Sequence, residues 1–112
     1  MFPLDGRTLP VYLDSHYTFS DGERALGVVF FTQGFTVPAG ATAYVGVTKP
    51  VNGPIDLNET GHLCLLDSLT LGDKSLGFIN GGIISTGDEQ QGFIIFDCST
   101  QLTKPLIFRN NT

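Results

Sequence analysis

Apolar and polar positions alternate strictly over residues 41–48. Ala41, Ala43, Val45 and Val47 fall on one face of an extended chain, and Thr42, Tyr44, Gly46 and Thr48 on the other. This predicts a strand with one buried face. Residues 26–33 predict a strand before it, with Val28, Val29, Phe30 and Phe31 in a row; β-branched and aromatic side chains suit a pleated, half-buried surface. Pro38-Ala39-Gly40 supplies the turn between the two, because proline presets φ and glycine relieves the corner. Lys49-Pro50 ends the second strand, since proline cannot donate to a ladder, and Asn52-Gly53 marks the next bend.

The remaining chain reads as further short strands. Residues 10–13 and 16–19 predict two, with Asp21-Gly22 turning the chain into the central pair. Residues 51–61 read as a loop around Pro54, and residues 62–69 as a strand. Asn80-Gly81, between apolar runs at 75–79 and 82–86, is the pattern of a tight hairpin, because a type I′ turn needs positive φ twice. Residues 92–97 predict another strand, and residues 104–108 the last, with Pro105 suggesting an edge. No helix and no internal repeat are expected. Seven to nine short strands at this spacing predict one all-β domain over residues 1–112, an antiparallel β-sandwich or jelly-roll-like barrel.

Three runs break the alternation: residues 26–31, 63–66 and 93–96. Antiparallel sheets usually wet one face. Unbroken apolar runs therefore imply cover on both faces, by a partner subunit, a neighbouring protein or long loops of the same chain. The interface reading names Val28, Val29, Phe30, Phe31, Ile94 and Ile95, with one residue of each adjacent pair between subunits and the other in the core. Closed cyclic symmetry is the usual way to cover such a surface, and a homotrimer is the expected form.

Composition narrows the partners. The chain has 112 residues, 41% hydrophobic and 15% charged, with 14 glycines placed between apolar runs as turns are. Net charge is −5 and the six basic residues are scattered, so a nucleic-acid partner is not expected. No apolar run approaches a membrane span, and the N-terminus lacks the basic and apolar regions of a secretion signal.

Candidate chemistry is sparse. His16 and His62 are the only histidines, and neither sits in a nucleophile motif. His62, Cys64 and Cys98 lack the paired spacing and fourth ligand of a structural zinc site; the two cysteines read as buried hydrophobes or as a disulfide pair. Asp14, Asp21 and Glu23, and then Asp56, Asn58 and Glu59, are oxygen-rich turns without the spacing of a calcium loop. Asn58-Glu59-Thr60 and Asn110-Asn111-Thr112 match the glycosylation sequon. No catalytic, metal-binding or cofactor-binding residue is assigned. Tyr12, Tyr17 and Tyr44 are possible sugar-stacking groups.

Gly40-Ala41-Thr42-Ala43-Tyr44-Val45-Gly46-Val47-Thr48-Lys49-Pro50, with Asn52-Gly53 behind it, is similar to a G-A-T-A-x-V-x-x-x-K-P-x-G segment of the N-terminal β-sandwich modules of phage baseplate and fibre proteins. The likeness covers about 30 of 112 residues. It implies a small virion structural protein and transfers no site residue. Without a long fibre extension, the expected role is a non-enzymatic capsid decoration (cement) or tail-associated subunit that binds capsid or tail proteins after assembly in the host cytoplasm. The alternative is a carbohydrate-binding or adhesive sandwich, and a third reading is a small hydrolase using His16 or His62.

Overall fold

The computed structural model describes residues 4–86, 94–96 and 106–110, and the side chains of residues 4–72 and 77–86. Eleven strands are found among the described residues: β1 (Asp5–Leu13), β2 (Tyr17–Thr18), β3 (Arg24–Phe31), β4 (Phe35–Thr36), β5 (Thr42–Val47), β6 (Val51–Asp56), β7 (His62–Leu65), β8 (Leu69–Phe78), β9 (Gly82–Thr86), β10 (Ile94–Phe96) and β11 (Leu106–Asn110).

Odd-numbered strands form one sheet, in the order β1-β3-β5-β7-β9-β11, called sheet A here. Even-numbered strands form sheet B, in the order β10-β8-β6-β4-β2. Every pairing is parallel. The chain thus winds as a β-solenoid. One strand in sheet A and one in sheet B make a rung, and each strand bonds to the strand one rung on.

This overturns the expected antiparallel sandwich or jelly-roll barrel, and with it the sandwich implied by the phage-module likeness. The reason lies in the corners. Pro38-Ala39-Gly40 does turn, with the Ala41 amide donating to the Pro38 carbonyl at 3.0 Å. It carries the chain from sheet B to sheet A, though, and does not fold β5 back on β3. Asn80-Gly81 acts likewise. β8 and β9, on either side of it, lie in different sheets and make no hairpin. Among the even-numbered strands, β2 and β10 fall within the strands expected at 16–19 and 92–97. By contrast, β4 is two residues long, β6 passes through Pro54 where a loop was expected over 51–61, and β8 runs straight through Gly72-Asp73.

A repeat also exists where none was expected. Arg24, Tyr44 and Cys64 are in register, as are Ala25, Val45 and Leu65, at twenty-residue intervals. In sheet B Tyr17, Phe35, Ile55 and Phe78 stack in one column. Parallel in-register stacking points equivalent residues the same way. Columns of inward side chains therefore fill the space between the sheets: Ala25, Val45 and Leu65 from sheet A, Phe35, Ile55 and Phe78 from sheet B, all buried. At the N-terminal end an aromatic cluster closes the core. Phe19 meets Phe35 edge-on at 5.1 Å, Phe31 lies 5.0 Å from Phe35, and Tyr17 meets Phe19 edge-on at 5.1 Å.

Two glycines set one corner. Gly34 and Gly53 both have positive φ (77° and 84°). A Cβ on Gly34 would lie 1.9 Å from the Pro54 carbonyl oxygen, and one on Gly53 would lie 2.4 Å from the Gln33 carbonyl carbon. Neighbouring rungs touch backbone to backbone there, which only glycine permits.

Candidate interaction face

Sheet A has an outer face as well as an inner one. In β3 Ala25, Val29 and Phe31 are buried in the core, while Leu26, Val28 and Phe30 point outward and are half-buried. β5 pairs only with the first part of β3, from Arg24↔Tyr44 to Gly27↔Val47. Past Gly27, β3 pairs with β1, Val29–Phe31 matching Val11–Leu13. Phe30 is therefore flanked on one side by Tyr12, whose ring stacks on it at 4.5 Å and 4°. Lys49 lies over the Phe30 ring, its Nζ 5.9 Å from the centroid. Tyr12 is 66% exposed and Leu9 72% exposed; among the described residues these are the large apolar side chains most open to solvent. Val28, Phe30 and Tyr12 thus sit on the first two rungs as an apolar outer surface with a lysine beside it, and Leu9 is exposed in the same strand as Tyr12. One rung on, Arg24 lies over Tyr44 at 5.7 Å, the same pairing of cation and ring.

The structure distributes the six expected interface residues over three places. Val28 and Phe30 face outward from β3. Val29 and Phe31 belong to the core. Ile94 and Ile95 lie in β10, in sheet B, paired with Leu69 and Thr70; their side chains lie outside the described residues. β3 and β10 are not neighbours, so the two runs do not make one patch. Leu9 and Lys49 were not singled out from sequence. Both depend on how β1 and the β5–β6 corner lie against β3, a long-range relation that no local pattern encodes.

Elsewhere, polar groups are tied into corners. His16 Nδ1 lies 2.8 Å from the Gln33 carbonyl and Nε2 2.6 Å from Thr36 Oγ1. A carbonyl only accepts, so Nδ1 donates to it, and Nε2 shares a second hydrogen bond with the Thr36 hydroxyl. Glu23 accepts the Tyr17 hydroxyl and the Ser20 amide. Burial, then the hydrogen bond to Glu23, pushes the Tyr17 phenol up to about 12. Asp21 Oδ1 accepts the Thr42 amide at 2.9 Å, and Asp56 Oδ1 accepts the Asn58 amide and the Asn80 Nδ2 amide. Asn58 and Glu59 have positive φ, the geometry of a tight corner.

His62 Nε2 and Ser85 Oγ lie 2.5 Å apart on the outer face, across β7 and β9. A histidine beside a serine is the start of a nucleophile, but Ser85 is only 3% exposed and its hydroxyl has no open approach. Cys64 stands between Tyr44 and Ser85 in register, a free and buried thiol. Cys98 lies outside the described residues. Among the described residues no three His, Cys, Asp or Glu side chains come together to hold a metal ion, and no helix is long and apolar enough to cross a membrane.

No protein-family model, curated protein or solved structure matches this chain.

Proposed function

We propose that this chain is a non-enzymatic structural protein of a virion, a capsid-decoration or tail-associated subunit that acts through the outer face of its first two rungs. The observation that carries the reading is the outward row of Val28 and Phe30 beside exposed Tyr12. Large apolar side chains on the outside of a two-sheet solenoid do nothing for its own core. Covering each on association contributes on the order of 1.5–3 kcal/mol. A closed homotrimer covers the row between subunits, and the assembled unit binds capsid or tail proteins. Binding only the assembled shell stabilises it by mass action, which is what a cement protein does. The virion setting, with assembly in the host cytoplasm, is part of this proposal, and the particle measurement below tests it.

The test is to measure the protein in particles purified from its native source, and then the thermal stability of particles with and without it. The reading expects a stoichiometric virion component whose removal lowers the temperature of shell opening. Absence from particles, together with no affinity for any capsid or tail protein, would remove it.

A second reading, a carbohydrate-binding module, is favoured by one observation. Tyr12 is exposed, and its ring is held rigid by the parallel stack on Phe30. A glycan-array signal lost in Tyr12→Ala would support it; an array without hits would end it.

A further inference from the structure

β1 is the outermost strand of sheet A among the described residues, and a solenoid's terminal strand presents a ladder that another strand can extend. The two ends of this sheet are complementary by construction. β1 and β11 run the same way, so the β11 end of one copy matches the β1 end of the next. Such a head-to-tail contact does not close and produces open filaments.

The Leu26 amide donates to the Leu4 carbonyl at 3.0 Å, and Asp5 is in register with Leu26. Successive residues of a strand turn their N–H and C=O to opposite sides. Leu4 and Gly6 therefore face β3, and Asp5 and Arg7 face the open edge. The Arg7 amide is a donor offered to any added strand. It is already taken, by Asp5 Oδ1 at 3.0 Å. The same carboxylate grips the Arg7 guanidinium at two points, Oδ1 to Nε at 2.9 Å and Oδ2 to Nη2 at 2.8 Å. Beyond Arg7 the ladder breaks. β1 takes five steps from Gly6 to Val11 where β3 takes two from Gly27 to Val29, so residues 7–10 bulge outward. Pro10, in that bulge, has no N–H.

We infer that Asp5 and Arg7 form a built stop: the Asp5 carboxylate, with the bulge after it, closes the N-terminal edge of sheet A against the C-terminal edge of a second copy. The Arg7 hydrogen bonds also hold the Asp5 carboxyl down at about 2, so the stop stays charged and intact across ordinary pH.

The test is sedimentation of the full chain over a wide concentration series, with circular dichroism to verify folding. Asp5→Ala removes the acceptor and frees the edge amide. Its weight-average mass is expected to climb without a plateau, roughly threefold per tenfold rise in concentration, as open-ended growth requires. Asp5→Asn keeps an acceptor oxygen for the Arg7 amide, and Arg7→Ala keeps the carboxylate; both should plateau at the wild-type mass. Asp5→Val, with its better strand propensity, is the second variant if Asp5→Ala does not fold, and should grow as Asp5→Ala does. A folded Asp5→Ala or Asp5→Val that plateaus at the wild-type mass overturns the inference. So does open-ended growth of the wild type itself.

Discussion

β3 and β5 are neighbours in one parallel sheet, and their inner faces are alike: Ala25, Val29 and Phe31 against Ala43, Val45 and Val47, all buried. Their outer faces differ. β5 turns out Thr42, Tyr44 and Gly46; β3 turns out Leu26, Val28 and Phe30. The core demands the same thing of both strands, so it does not explain the difference. Under the proposed reading β3, with Tyr12 stacked on Phe30, is the part of the sheet that meets a partner.

The largest effect that would break or sustain this contrast is a charge placed on either face of β3. Val29→Asp or Phe31→Asp buries an unpaired carboxylate among Phe19, Phe35 and their neighbours, and should unfold the chain outright, seen as loss of the β circular-dichroism signal. Val28→Asp or Phe30→Asp should leave that signal intact. Equal loss from both faces would erase the distinction.

Truncation sharpens the same contrast by degree. Phe31→Ala removes a fully buried ring and should destabilise by about 3–5 kcal/mol in denaturant titration. Phe30→Ala, half-exposed, should cost less than about 1.5 kcal/mol in the isolated subunit. The parallel stack on Tyr12 is the main interaction it loses.

A smaller effect probes the inner side by pH. Tyr17 packs edge-on against Phe31, and its phenol is raised to about 12 by burial and by donating to Glu23. The folded state thus holds this proton more tightly than the unfolded state does. The stability this contributes is complete below about pH 10 and is lost as pH rises toward 12. Tyr17→Phe should remove that loss, so its unfolding midpoint falls less between pH 10 and 12 than the wild type's. Parallel pH curves for the two proteins would count against the Tyr17–Glu23 bond.

Smallest is the outward thiol at Cys64. It faces away from the core beside Tyr44, yet it is buried. In the folded protein it should react with a thiol reagent many times more slowly than in denaturant. Rapid reaction in the native state would show that the outer face of β7 is open.

Parts of this were legible in the sequence. The inward set of β5 was readable from strict alternation, and the limits of β9 from the glycines and β-branched residues around residues 82–86. Parallel topology was not, although its signs were present. The unbroken apolar runs at 28–31 and 63–66 are a pattern that parallel sheets produce, and taking antiparallel pairing for granted turned them into a surplus to be explained. Tyr17-Thr18-Phe19, Phe35-Thr36-Val37 and Ile55-Asp56-Leu57 repeat one apolar-polar-apolar unit before a corner, and this was the legible trace of the rungs. Each unit forms only two residues of ladder with the next, and while the first was read as a strand, Phe35-Thr36-Val37 and Ile55-Asp56-Leu57 beside their prolines were not. Pro38-Ala39-Gly40 and Asn80-Gly81 encode a bend, but a bend does not say whether the next strand pairs with the last one or with the rung before. At the candidate face, adjacency of Val28 to Phe31 was visible in sequence. The division into Val29 and Phe31 inside, Val28 and Phe30 outside, needed the pairing of β3 with β1.

The most direct measurement is sedimentation equilibrium of the wild type beside Phe30→Asp, both verified as folded. The account predicts a wild-type trimer that the substitution converts to a folded monomer. A wild type that stays a stable, folded monomer at high concentration would contradict it.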